Sequence, residues 1–507
     1  MPASTVQPIE KMLTYIPGFD YVSKGGLPRG RTTLVSGSSG SAKSVFSSHF
    51  LAGGILHAQD AGVFVTFEES PLDIRRNMLG FGWDIEAWEA RKLWAFVDGT
   101  GTYSEETFIS GDYDLDGLIA RIEYAVKRVN AKRVVLDSMS TVFAQLPNPT
   151  IVRHELFRLI GALKSMEVTA ILTAERTEEY GPISRFDVEE FVSDNVIILR
   201  NALDGDRRRR TIEVLKFRGT QHAKGEFPFS VMPGIGVEII PLSAIELAQE
   251  SSTQRIPSGV AELDTMCGGG FLEGAVILIS GATGTGKTLT GMKFVATGIE
   301  AQDQRTALFT FEESRSQLYR NAKGWGIDFA GMEQAGKLYV MAEYPESANL
   351  EDHLIKIKQI IMEFQPKRIV VDSISALENI GTPRSFREFI IGLTAFLREQ
   401  GITGLYTSNP ANLLGSSISE GYISTITDTI IMMRYVETFG EMQRVLTVLK
   451  MRGSQHDKRI RQFTIDAEGI NIGAALRNVS GILSGNFIYT GSADLERIHG
   501  PFASDQS

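Results

Sequence analysis

The 507-residue sequence contains a single cysteine, Cys267. One thiol excludes an internal disulfide framework, and a chain without disulfides fits a reducing, cytoplasmic setting. No run of 18 apolar residues occurs, so no transmembrane helix is expected. The opening residues, MPASTVQPIEKML, lack a basic stretch followed by an apolar core, so no secretory signal is read there. Positive charge is also short: 51 Lys and Arg against 61 Asp and Glu give a formal net charge of −10. That balance argues against a dedicated nucleic-acid binder, which needs a basic face for the phosphate backbone. What is plentiful is ordinary globular material. Hydrophobic residues make up 43% and charged residues 22%, enough to bury real cores. The length suggests about two to four domains.

The sequence repeats itself. Lys43 in GSSGSAKS and Lys287 in GATGTGKT stand 244 residues apart. Gly25-Gly26 and Gly269-Gly270, upstream of these loops, keep that spacing, as do Glu68-Glu69 and Glu312-Glu313, each in a TFEES string. Asp137 in RVVLDS and Asp372 in RIVVDS are 235 apart, and Lys216 and Arg218 in LKFRG lie 234 before Lys450 and Arg452 in LKMRG. A spacing that holds and then drops by about ten means a tandem duplication with one net insertion in the first copy. Thr100 to Asp116, rich in Gly, Ser, Thr and acids, is the expected place for it. Between Pro241 and Pro257 the polar run Gln249 to Gln254 reads as a linker. The expected organisation is a first domain over residues 1–241, a linker over 242–258, a second domain over 259–476 and a loosely ordered tail over 477–507.

Within each copy, short β-rich runs alternate with helical patterns. RTTLVSG, GVFVTFEE, RVVLDS and TAILTAE read as strands, and SVFSSHFLAGGILHA as the helix after the first loop. This alternation implies an α/β fold, a doubly wound, mostly parallel sheet with flanking helices in each domain. Such sheets bind ligands at the carboxyl ends of their strands, where the loops and acids fall.

The second loop, Gly281-Ala282-Thr283-Gly284-Thr285-Gly286-Lys287-Thr288, is a full phosphate-binding P-loop. Its backbone N–H groups wrap phosphates, Lys287 reaches the β- and γ-phosphates, and Thr288 ligates magnesium. The first loop, Gly37-Ser38-Ser39-Gly40-Ser41-Ala42-Lys43-Ser44, departs at Ala42, where a methyl replaces the last glycine and crowds the helix start. Its place in the duplication assigns it the same ATP-binding role, with Ser44 on magnesium. Asp137 and Asp372 end apolar strands, the position of a magnesium-holding aspartate, although an N-cap uses the same residue type there. The paired glutamates Glu68-Glu69 and Glu312-Glu313 also follow strands. The first of each pair is expected to be the catalytic base and the second supporting, with helix capping as the alternative. Glu312 is also counted among the magnesium ligands. Lys216 with Arg218, and Lys450 with Arg452, alternate on a late strand and so point to one face, where two cations suit a phosphate. The run Arg207 to Arg210 reads as a solvated turn, apart from Arg210, which is matched by Arg444 at 234. Trp83 and Trp325, 242 apart, suit either adenine stacking, expected at Trp325, or core packing.

Together, the double glycine, TFEES, LDS/VDS and K-x-R-G signatures, duplicated in tandem, resemble the KaiC family of double-domain circadian-clock ATPases. The likeness runs from about residue 15 to 485 and includes EEYGPI, EEFVSDN, YPES and STITDT. It implies two RecA-like domains in a double-ring homohexamer, with ATP and magnesium between neighbouring subunits. The Lys-x-Arg pairs then reach the neighbour's phosphates, Phe217 and Met451 lie between those cations, and Thr220, His222, Ser454 and His456 line the same pocket. It further implies slow ATP hydrolysis in the first half and self-phosphorylation of Ser424 and Thr425 in the second. Seven serines and threonines crowd Ser416 to Thr429, whereas Ser424 and Thr425 correspond to Glu190 and Phe191 in the first half. Ser419 is an alternative acceptor. A KaiB-like protein is the implied partner. A KaiA-like partner stays open, because the tail after Gly485 departs from the family pattern, as the GSAKS loop does. Two other functions use the same core: a RecA-like DNA-binding motor, which needs basic loops, and a non-hydrolysing scaffold, which has no need of the carboxylates.

Overall fold

The computed structural model describes residues 9–99, 115–144, 148–183, 193–241, 252–409, 423–438, 441–467 and 469–476, together with the paired strands 479–480 and 488–489. The chain divides into two units, Met1–Ile245 and Glu246–Ser507. Each unit is built on a nine-stranded sheet. The order across the first sheet is Gly236–Ile239, Glu226–Met232, Arg207–Phe217, Asn195–Asp204, Thr32–Gly37, Thr169–Glu175, Arg133–Asp137, Gly62–Thr66 and Trp94–Asp98. The second sheet repeats it as Gly469–Ala475, Arg461–Asp466, Glu441–Met451, Thr429–Thr438, Val276–Gly281, Thr403–Ser408, Arg368–Asp372, Thr306–Thr310 and Leu338–Ala342.

The six strands from Asn195–Asp204 to Trp94–Asp98 pair in parallel, and the expected mostly parallel sheet is found. The remaining pairings are antiparallel and add a wing to the sheet. The parallel strands read as continuous apolar runs because helices cover both faces. Alternation sends Leu34, Val63 and Val134 to one core with Ile122 and Leu156, and Val35, Phe64 and Val135 to the other with Phe46 and Phe50. The helix Lys43–Ala58 therefore lies on one face, and Leu115–Val129 and Pro149–Ser165 lie on the other.

The element bounds locate the insertion. Trp94–Asp98 and Leu338–Ala342 keep the 244 spacing, whereas Leu115–Val129 and Leu350–Phe364 are 235 apart. The extra residues thus fall between Asp98 and Leu115, where composition placed them. Residues 242–251 of the expected linker lie outside the described residues. Arg255–Ile256, within the same stretch, pairs with Phe271–Leu272, as Lys11–Met12 pairs with Leu27–Pro28 in the first unit.

Two sequence expectations need correction. Arg207 to Arg210 do not form a turn: they begin the strand Arg207–Phe217, and the turn is the preceding Gly205-Asp206. Four arginines tolerate strand geometry here because the hairpin with Asn195–Asp204 leaves Arg208 exposed and the other three half-exposed. Trp83 and Trp325 are also not counterparts. The flanking helices Pro71–Leu79 and Arg315–Gly324 keep the 244 spacing, so Trp83 answers to Ile327 and Trp325 to Phe81. Trp83 is buried against His49 and Phe81, and half-buried Trp325 packs on the second core.

Candidate active sites

Each loop leaves the central strand and enters a helix, Lys43–Ala58 or Lys287–Glu300. The residue before each lysine is left-handed, Ala42 at φ 69° and Gly286 at φ 102°. Lys43 Nζ donates to the carbonyls of Gly37 and Ser38, each at 3.0 Å. Lys287 Nζ donates to that of Ala282 at 2.9 Å. Burial pushes both ammonium groups down, opposed at Lys43 by Glu175, Asp137, Glu68 and Glu179, and at Lys287 by Asp372 and Glu312. Arg210 Nε donates to Gly40 O at 3.1 Å and Arg444 Nε to Gly284 O at 3.3 Å, so the matched arginines brace their own loops. Tyr435 adds a 2.7 Å bond to Gly284 O. Ser38 donates its hydroxyl to Glu179, a contact not foreseen from sequence.

The aspartates lie under these loops. Asp137 accepts hydroxyl hydrogen bonds from Ser44 and Thr173, and Asp372 from Thr288 and Thr407. Burial pushes both carboxyls up, against those hydrogen bonds. A loop hydroxyl bonded to a buried carboxylate, beside a lysine, fits a magnesium ion that keeps phosphate and water oxygens as its other ligands. No group of three or more His, Cys, Asp or Glu side chains suited to a metal occurs among the described residues. The donor set therefore suits an ion that arrives with a nucleotide.

The paired glutamates part company. Glu68 accepts from Ser138 Oγ at 2.9 Å and from Thr141, beside Asp137. Glu312 accepts from Ser373 Oγ at 2.7 Å and from Asn409 Nδ2 at 3.0 Å, beside Asp372. Glu69 and Glu313 instead take Asn77 at 3.1 Å and Asn321 at 3.2 Å, on the helices that follow. Burial and the neighbouring aspartate push both of these carboxyls up. The first glutamate of each pair thus faces the aspartate strand, and the second faces the helix that follows.

Lys216 and Lys450 share a face with Arg218 and Arg452, while Phe217 and Met451 between them turn into the core. Lys216 Nζ donates to Ser193 O at 3.0 Å, and Arg218 stands 3.8 Å from the Asp194 carboxylate. Lys450 Nζ donates to Ser424 O at 2.6 Å and Thr427 O at 2.7 Å, and Arg452 to Thr425 O at 2.6 Å. The strands carrying the lysines are internal to their sheets, but at Lys216 and Lys450 only the inner neighbour, Asn195–Asp204 or Thr429–Thr438, pairs with them. His222 Nδ1 lies 2.9 Å from Ala223 O, and Thr220 donates to Gln221 O at 3.2 Å. Ser454 accepts from Arg255, and both ring nitrogens of His456 are buried with no partner among the described residues. Ser424 is half-buried and Thr425 exposed. Ser416, Ser417 and Ser419 lie outside the described residues.

Comparison with known proteins decides the family. The KaiC ATPase family model matches twice, over residues 12–244 and 256–477. The chain belongs to the KaiC family. It is 57% identical over 495 residues to the circadian clock protein KaiC3 of Synechocystis, covering 97% of this chain and 98% of that protein. It is 52% identical to the circadian clock oscillator protein KaiC of Acaryochloris marina, covering 94% and 91% of the two chains. With the corresponding protein of Thermostichus vulcanus the identity is 51%, over 94% and 92%. The KaiC family ATPase assignment accords with two P-loops, each backed by an aspartate and a glutamate. Sequence reading found those residues because motif and repeat mark them. It missed Thr141 and Asn409, which belong to no motif, and the contact of Glu179, which lies in the EEYGPI string. The signal for Thr141 and Asn409 is position alone, just past the aspartate strand or the strand beside it. No helix among the described residues is long and apolar enough to cross a membrane.

Proposed function

We propose that each half of this KaiC-family chain binds one magnesium–ATP, that the first half hydrolyses it slowly, and that the second half also phosphorylates the chain itself on Ser424 and Thr425. The reading rests on one arrangement found twice: a loop lysine, a hydroxyl–aspartate pair and a glutamate held beside that aspartate, at the carboxyl ends of parallel strands. Lys43 and Lys287 leave their loop carbonyls for the phosphates. Ser44 with Asp137, and Thr288 with Asp372 and Glu312, hold the magnesium ion, which neutralises charge on the phosphates. Glu68 takes the proton of the attacking water, with Glu69 supporting. In the second half a hydroxyl oxygen of Ser424 or Thr425 forms the new P–O bond, the β–γ bridge bond breaks, ADP leaves, and Glu312 takes the hydroxyl proton, with Glu313 supporting. The grip of Lys450 and Arg452 on the Ser424 and Thr425 carbonyls supports a presented acceptor.

By family the working form is a cytoplasmic homohexamer acting in timekeeping with a KaiB-like protein. Co-purification from cells checks the KaiB-like partner. The experiment is incubation with ATP labelled on the γ-phosphate, following free phosphate and labelled protein together. Wild type releases phosphate and carries label on Ser424 and Thr425. The E68Q/E69Q variant loses most phosphate release and keeps the label, and E312Q/E313Q loses the label. Label on these residues in E312Q/E313Q, or none in wild type, overturns the autokinase reading.

A further inference from the structure

The two candidate bases are held by donors that have changed places. In the first half Thr141 donates to Glu68, and its counterpart in the second half, 235 residues on, is Ala376, which has no side-chain donor. In the second half Asn409 Nδ2 donates to both oxygens of Glu312, at 3.0 and 3.4 Å. Its counterpart 234 residues earlier is Glu175, which when ionised can only accept. The surrounding frame is the same. Glu175 N donates to Ser140 Oγ and Asn409 N to Ser375 Oγ, both at 2.8 Å. Ser138 and Ser373 supply the hydroxyl common to both sites. Thr141 and Ala376 occupy the same position of the equivalent short helices Met139–Phe143 and Ile374–Glu378.

We infer that Asn409 is the positioning residue for Glu312, doing in the second half what Thr141 does for Glu68 in the first. Because a carboxylate only accepts, the amide nitrogen must be the atom that faces it. Two contacts from one planar amide fix the plane of the carboxylate as well as its place. Asn409 Oδ1 is buried with no partner among the described residues. The exchange also sets the charge of each site. Glu175 is the strongest attraction on Lys43, whereas Lys287 answers to Asp372 and Glu312 alone. The second half therefore keeps a neutral group where the first has a carboxylate.

The inference rests on Glu312 being the base, and the test separates the two. In an E68Q/E69Q background, which silences the first half, Asn409→Ala lowers total γ-phosphate transfer from ATP about tenfold in kcat. KM and the affinity for a fluorescent non-hydrolysed ATP analogue stay unchanged. Adding Ala376→Thr to Asn409→Ala restores most of the rate, because it supplies the donor that the first half uses. In a Glu312→Ala background, Asn409→Ala has no further effect. Asn409→Asp keeps the shape without the donor and loses the rate as well, so a folding defect in the alanine variant does not shield the inference. Transfer untouched by Asn409→Asp or Asn409→Ala, or an equal loss in the Glu312→Ala background, overturns the positioning role. Transfer that survives Glu312→Ala instead removes the base itself.

Discussion

At the scale of single residues, the departures between the halves are compensated locally. An added Cβ at Gly286 would lie 2.7 Å from Ile465 Cδ1, on a backbone at φ 102°. In the first half Ala42 sits at φ 69°, and the counterpart of Ile465 is the shorter Val231, packed on the same core. Gly286→Ala should therefore destabilise the second half by about 1–3 kcal/mol. Adding Ile465→Val should recover part of that. Ala42→Gly should change stability by less than about 1 kcal/mol, because relief of the left-handed alanine is offset by added freedom in the unfolded chain. Thermal melts with hydrogen exchange on the helices Lys43–Ala58 and Lys287–Glu300 check all three. A second residue predicts a pH effect. His49 is 6% exposed, accepts Val237 N–H at 3.2 Å and is pushed down by burial to about 4. The fold thus favours the neutral ring, and the unfolded chain binds the extra proton between its ordinary value of 6.5 and about 4. The contribution is intact above the unfolded value and is lost as pH falls through that window, by up to about 3 kcal/mol. His49→Gln should flatten this acid dependence for the first half in denaturant titrations. An unchanged slope would remove His49 as its source.

At the scale of elements, each half is tied together by a buried arginine that opens the aspartate strand. Arg133 and Arg368 are each 1% exposed, and the helix behind them offers a glycine, Gly54 or Gly298, because a Cβ there would strike the side chain at 2.2 or 2.8 Å. Arg133 donates to Phe50 O and Leu13 O and pairs with Asp60 at 3.0 Å. Arg368 donates to Pro257 O and Phe294 O, but its other partners are Gln302 and Gln304, and burial pushes it down to about 10. Each arginine thus fastens the strand to the P-loop helix and to the segment ahead of the central strand, at Leu13 or Pro257. Arg133→Met orphans a carboxylate and should cost about 3–5 kcal/mol. Arg368→Met leaves only neutral groups unpaired and should cost about 1–3 kcal/mol. Equal losses in urea titration would refute the assigned role of Asp60. This element-level design was half legible. The strands, the P-loop helices and the acids follow from apolar runs and repeat spacing. The antiparallel wing did not, because the arginine run Arg207 to Arg210 mimics a turn and only pairing with Asn195–Asp204 makes it strand. Thr141 and Asn409 also stayed hidden, since hydrogen-bonding roles that swap between counterparts erase the repeat that reveals the rest.

At the scale of the whole molecule, the test is whether the Lys-x-Arg pairs complete the nucleotide site of a neighbouring copy. Arg210 and Arg444 already brace their own loops, whereas Lys216 and Lys450 are bound to the carbonyls of Ser193 and of Ser424 and Thr427. A ring of like subunits repeats one heterologous contact, so a loop on one copy meets a fixed surface of the next. If that surface carries the pair, a first-half site is assembled from the Lys43 of one copy and the Lys216 and Arg218 of its neighbour. Subunit mixing discriminates this arrangement from a site complete within one chain. Lys43→Ala alone has no intact first-half site, and neither does Lys216→Ala/Arg218→Ala alone. In an equal mixture of the two, an intact loop follows an intact pair wherever the double variant's loop faces the Lys43→Ala copy. Random placement makes that about one interface in four, so first-half hydrolysis should return to about a quarter of wild type. The measurement uses an E312Q/E313Q background, ATP present, and light scattering to confirm six copies per particle before and after mixing. A site built within one chain gives no recovery at any ratio, because neither variant contributes a complete set of cations.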